Sequence, residues 1–204
     1  MVRLKVIFIF LFILCTSFIS NGQNFKAQVS AGLNVSQVDG DSYGGYNQPG
    51  LLLGFSILKE HSNKLNYGFE MLLSQKGSHK KITEDNPQTF KLRYNYICLP
   101  LYVDFKELGE NMKRVHIRLA ISNNFNFTSK VDYGFGWQEN SIKRWELSGY
   151  LGVGYQINEK IGFMLRSENS LLSVGVPAPN TFYKVNRTGL YNRLISFVIS
   201  ANLL

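Results

Sequence analysis

The chain has 204 residues, 45% of them hydrophobic and 14% aromatic, and a formal charge of +8. That length suits one domain of moderate size. Of the two cysteines only Cys98 lies outside the apolar N-terminal run, and a single thiol cannot form an internal disulfide; with His61, His79 and His116 scattered there is no zinc-ligand pattern either.

Arg3 and Lys5 precede an apolar run at 6–15 that continues less strictly to Ile19, and Ser20, Asn21 and Gly22 follow. A cationic start, an apolar stretch and small residues at a cleavage site read as a secretion signal. The expected division is a signal peptide at 1–22 and a barrel domain at 23–204. An uncleaved anchor is the rival reading, and lipidation at Cys15 is a third, opposed by the bulky Leu14 before it. Removing Arg3 and Lys5 leaves a charge of +6 on the exported part. For an exported chain this balance points to a solvated surface or to lipid phosphates, and away from nucleic acid.

The remainder alternates. In 26–36, Ala27, Val29, Ala31, Leu33 and Val35 share one face, with Lys26, Gln28, Ser30 and Asn34 on the other. Successive strand side chains point to opposite faces, so this is a strand period. The loop DGDSYGGYNQPG follows. A second strand, 46–58, sets Leu51, Leu53, Phe55 and Ile57 together, while Leu52 and Leu58 break its polar face. After KEHSN, a third strand at 64–76 sets Leu65, Tyr67, Phe69, Met71 and Leu73 against Asn66, Gly68, Glu70, Ser74 and Lys76, with Leu72 as an exception. GSHKKITEDNPQT is a long polar loop.

The fourth strand, 91–105, places Ile97, Leu99, Leu101, Val103 and Phe105 opposite Tyr94, Tyr96, Cys98, Tyr102 and Asp104. Pro100 lies on the second face; lacking a ladder donor, it implies a bulge or a local break in pairing. KELGENMK is a turn, and the fifth strand, 114–127, alternates Val115, Ile117, Leu119 and Ile121 with His116, Arg118, Ala120 and Ser122. TSKVDYGFGWQENSI is a long aromatic loop. The sixth strand, 144–158, is the clearest: Trp145, Leu147, Leu151, Val153 and Tyr155 against Glu146, Ser148, Tyr150, Gly152 and Gly154. After INEK the seventh strand spans 161–168, a long loop contains VGVPAPNTFYKVN, and the eighth strand spans 191–203. Nothing outside the signal reads as a helix.

Connections alternate long and short, the long ones following strands one, three, five and seven. Transmembrane barrels with short periplasmic turns and long outer loops have that order. The fold expectation is therefore all-β: an eight-stranded antiparallel up-and-down transmembrane β-barrel after a cleaved N-terminal signal peptide, in the outer membrane of a double-membraned bacterium. Tyr67, Trp145, Tyr155 and Tyr191 lie near the ends of apolar faces, as an interfacial girdle requires. The opposite faces carry Glu70, Asp104, Arg118, Glu146, Arg166 and Glu168, both signs in a narrow lumen, which implies a cross-lumen ion-pair network. Outer-loop contacts are expected from Lys76, His79, Lys80 and Lys81 and from Tyr133, Phe135 and Trp137, groups suited to anionic lipid or glycan.

Catalytic motifs are absent. Gly152-Val153-Gly154 lacks a phosphate loop, sits mid-strand and suits a crowded wall. No GxSxG elbow occurs. A Ser and His on a barrel wall can cleave lipid, for which His116 or His79 would be drafted, but a lone histidine is more often inert. No enzyme activity, cofactor or metal site is expected.

Four stretches, GLNVSQVDGD with GYNQPGLLLG behind it, FEMLLSQKGS, YNYICLPLYV and ELSGYLGVGYQINEKIGFMLR, resemble the PorT-like family of bacterial outer-membrane β-barrel proteins. The resemblance implies an eight-stranded outer-membrane barrel; it carries no catalytic residues, and the family takes its name from a member implicated in protein secretion. The leading functional expectation is a non-enzymatic barrel with a structural or binding role at its outer loops, partnered by outer-membrane lipid. The alternatives are an accessory of a secretion apparatus with envelope protein partners, small-solute transport, and a soluble lipocalin-like barrel with its apolar side chains turned inward.

Overall fold

The computed structural model describes residues 25–41, 43–80, 89–106, 109, 112–175 and 189–203, so the expected signal peptide lies outside the described residues. Its strands are β1 (Phe25–Asp39), β2 (Gln48–Glu60), β3 (Leu65–Lys80), β4 (Phe90–Lys106), β5 (Val115–Asp132), β6 (Trp137–Glu139), β7 (Trp145–Gln156), β8 (Ile161–Ser170) and β9 (Tyr191–Asn202). All but β6 form a ring in which each strand pairs antiparallel with its chain neighbour. The ring closes where β9 returns to β1 over twelve register pairs, from Gln28↔Asn202 to Asp39↔Tyr191. Closure leaves no open edge in the wall.

The two faces sort as the period-two pattern requires. Leu33, Leu51, Leu73, Leu101, Ile121, Leu151, Leu165 and Phe197 point outward and are exposed, Leu101 by 66%. Their alternates Asn34, Ser74, Tyr102, Ser122, Tyr150, Arg166 and Ser196 point inward and are buried. Such an apolar belt is stable against hydrocarbon, not water. The soluble lipocalin-like alternative needs the opposite arrangement and is corrected by this geometry. Leu52, Leu58 and Leu72, the breaks in the polar face, fill the interior, and Leu52 and Leu72 pack there with Val38, Leu92, Tyr94, Tyr96 and Val131.

Tight turns close one end of the ring. In 61–64, Ser62 Oγ accepts from the backbone N–H of Leu65 at 3.1 Å. In 157–160, Asn158 Oδ1 accepts from Lys160 and Ile161 N–H at 2.9 and 2.8 Å. Short polar side chains stand in for backbone partners and let the chain reverse in few residues. At the other end the strands outrun the sequence expectation. β3 continues to Lys80 and β5 to Asp132, and β6 folds back onto β5 from Lys130↔Glu139 to Asp132↔Trp137. Three residues are too few for a visible alternation. Pro100 pairs in register with Ser122 on its β5 side, but the β3–β4 ladder skips from Phe69↔Leu101 to Leu72↔Cys98 around it. The missing N–H thus breaks pairing without a bulge, and the register shift falls instead at Asn95/Tyr96.

Arginine at Leu151, halfway along β7 on the lipid face, should cost about 2–4 kcal/mol, against about 0–1 kcal/mol for Ile157→Arg at the turn. Urea refolding into phospholipid vesicles measures the difference.

Candidate functional site

The lumen is filled by two tiers of charge. In the tier nearer the tight turns, Arg118 from β5 chelates Asp104 of β4, with Nε–Oδ1 at 2.6 Å and Nη2–Oδ2 at 2.7 Å. Arg118 also donates to Glu70 on β3. Arg166 from β8 reaches the same Glu70 with both terminal nitrogens at 2.9 Å, and Tyr150 O–H donates to it at 3.1 Å. One carboxylate therefore joins two guanidiniums across the ring. Fork geometry favours arginine in this role.

The second tier is built on Lys76. Its Nζ donates to Glu146 at 3.1 Å and to Glu168 at 2.6 Å, with the lysine side chain 0% exposed. Glu146 also accepts from Asn124, Asn192 and Ser170, and Glu168 from Ser148 at 2.8 Å. Lys76, expected as an outer-loop contact, is thereby corrected. It shares the inward face of β3 with Glu70 and Ser74, and the strand continues past it, so its ammonium points into the barrel. The six expected lumen residues thus fall into two separate clusters, and the cation of the second is the residue assigned elsewhere.

Each cation also lies over a tyrosine ring: Arg118 over Tyr102 at 3.7 Å, Arg166 over Tyr150 at 4.9 Å and Lys76 over Tyr96 at 4.9 Å. The ring's negative face supplements the carboxylates where water is excluded. Beyond the second tier, Tyr94 and Tyr96 with Val38, Leu92 and Val131 close the lumen at its far end.

At that far end the strand extensions carry an aromatic and cationic surface. The Tyr43 and Phe90 rings lie 4.6 Å apart, and Phe90 and Tyr133 5.7 Å. Lys80 Nζ stands 5.6 Å from the Tyr43 centroid, and the Arg93 guanidinium 4.8 Å from that of Trp137. Phe135 is 91% exposed, Tyr133 and Trp137 are exposed, and His79 is half-buried beside them on β3. Lys81 lies outside the described residues. Sequence reasoning missed Arg93 and Tyr43, which lie apart from the basic and aromatic runs that marked the others. Tyr67 and Tyr155 ring the tight-turn end of the belt and Trp145 and Tyr191 the other end, with Trp145 edge-on to Phe125 at 5.0 Å.

Residues 20–174 match the family described as Outer membrane protein beta-barrel domain. The chain belongs to that family. As a member it resides in the outer membrane, with the tight turns toward the periplasm and the extended strands outside. Among solved structures, Ail of Yersinia pestis, the attachment invasion locus protein, is 12% identical, with a TM-score of 0.54, covering 89% of this chain and 100% of that one. Ail has also been solved in complex with the heparin analogue sucrose octasulfate, at a TM-score of 0.53. Neisserial surface protein A is 16% identical over 87% of this chain and 96% of that one, with a TM-score of 0.48. At these identities the likeness to Ail is one of fold. No curated protein matches the chain.

Arg118→Met leaves Asp104 and part of Glu70 buried without a counter-charge. It should destabilise the barrel by about 3–5 kcal/mol and lower the temperature at which the folded band is lost on a gel. A second expectation concerns Asp41, half-buried beyond β1, whose carboxyl is pushed up to about 6 by burial, against an N–H donated by Tyr43 at 2.8 Å. The folded form holds its proton to a higher pH than the unfolded form, so stability present at pH 4 is lost as pH rises through about 6. Protease cleavage in 40–47 should accelerate over that window, and Asp41→Asn should flatten the response.

Proposed function

We propose that this barrel is a non-enzymatic, PorT-like member of its family, the mature chain being 23–204 after removal of a signal peptide at 1–22. Its work is done at the outer face, by binding anionic glycan or lipid headgroups. The observation that carries this reading is the pairing of cations with aromatic faces there. Lys80 over the half-buried Tyr43 and Arg93 over the exposed Trp137 hold positive charge beside rings, with Tyr133 and Phe135 adding exposed apolar area. Rings stack on sugar faces or dip into headgroups, and the cations meet sulfate, phosphate or carboxylate.

The lumen favours this reading over transport. An eight-stranded ring has room for side chains and little else, and here those side chains are spent on one another in two tiers. The same self-satisfaction supports a structural role for the charges. The complex of Ail with a heparin analogue supplies a probe for this chain, not an argument.

The test is titration of sucrose octasulfate into the chain purified from outer membranes. Saturable binding is expected, weakened at least tenfold when Tyr133, Phe135 and Trp137 are replaced by serine, with the folded band unchanged. Equal binding by that variant would remove the outer face as the site. In planar bilayers no conductance steps are expected; regular steps would favour the transport alternative.

A further inference from the structure

At the periplasmic end the lumen opens into a cavity of about 420 Å³. All eight ring strands contribute to its wall, so it opens along the barrel axis and not sideways into lipid. Arg118 and Arg166 line its inner end, with Glu70 bridging them behind. The geometry points to a receptor site in this cavity for a small soluble multivalent anion, such as hydrogen phosphate or a polycarboxylate.

Three observations carry this. First, the described lining holds six cationic side chains against three carboxylates, and with Glu70 behind the inner end the balance stays positive by two. Lys26 and Lys106 approach one and the same oxygen of Glu60, at 3.1 and 3.2 Å, so two ammoniums share one carboxylate. Lys113 and Arg114 add charge at the rim, where the Arg114 guanidinium donates to the carbonyl of Ile157 at 3.4 Å. Glu159 is the third lining carboxylate, beside Asp104, which is committed to Arg118. An excess of cations around a low-dielectric recess concentrates anions.

Second, Asn66 lines the cavity, is 2% exposed, and has an Oδ1 without a hydrogen-bond partner. Buried amide oxygens are rarely left so. That oxygen is out of reach of anything in the cavity, so Asn66 serves as a polar part of the wall, and the positive balance of two is what favours a multivalent anion over a single carboxylate. Third, the wall is shaped around a histidine. A Cβ on Gly154 would lie 2.2 Å from the His116 ring, so the glycine opposite in register gives that imidazole its seat in the cavity. The volume falls within the ordinary range for small-molecule sites, about 300–1,000 Å³.

The experiment uses the chain purified from outer membranes in detergent, with sodium hydrogen phosphate, citrate, acetate and sodium chloride titrated at matched ionic strength. Amide and imidazole resonances of Asn66 and His116 are followed. Phosphate and citrate should shift both saturably in the millimolar range; acetate should bind more weakly and chloride not at all. Lys26→Gln with Lys106→Gln should weaken the midpoint at least tenfold; these side chains are 42% and 32% exposed, so folding should survive. Lys113→Gln, at the rim, gives a second, milder variant. Shifts that chloride reproduces, or midpoints the variants leave unchanged, would overturn the assignment.

Discussion

In hydrocarbon a backbone amide has no solvent to fall back on, and every other feature of this protein is arranged around that fact. The return of β9 to β1 converts eight hairpin-linked strands into a wall whose hydrogen bonds are all internal. Once the wall is closed, side-chain direction is no longer free. One face of every strand meets lipid and must be apolar, and the other meets a space too narrow for bulk water. Polar side chains on that second face need partners among themselves, which is why the charges of the interior gather into clusters.

The consequences separate by depth. Glu70 draws two arginines from β5 and β8 toward β3, and Glu146 and Glu168 draw Lys76 toward β7 and β8. Above them tyrosines and aliphatic side chains seal the outer end. What remains for contact with the surroundings is the two mouths. The outer one presents rings and cations on strands that outrun the membrane; the inner one is a basic recess. The two mouths are separated by the charge tiers that occupy the middle of the barrel.

Much of this was legible in the sequence because a strand's period is two and a membrane is unforgiving about which face is greasy. The order of long and short connections gave the topology for the same reason. Residue-by-residue pairing was less legible. Lys76 lies in SQKGSHKK, which reads as the start of a basic loop, although its spacing from Glu70 and Ser74 already placed it on the inward face. That Tyr96, Tyr102 and Tyr150 each lie against a cation depends on which strands are neighbours and at what stagger, and alternation along one strand carries no such information. The strand β6 and the buried setting of Asp41 are products of the outer extensions and had no periodic signal at all.

The ion pairs that fill the middle join residues far apart along the chain: Lys76 and Glu146 are 70 positions apart, and Glu70 and Arg166 are 96. Arg118 and Asp104 face each other within the β4–β5 hairpin, but these longer links cannot form while the hairpins are separate, so Lys76, Glu70, Arg166, Glu146 and Glu168 stay hydrated until distant strands meet. Dehydration of the interior is therefore among the last events, coupled to the meeting of early and late hairpins. Unfolding has to rewet those same charges, so links of this kind act on the rate of escape from the ring as well as on the equilibrium.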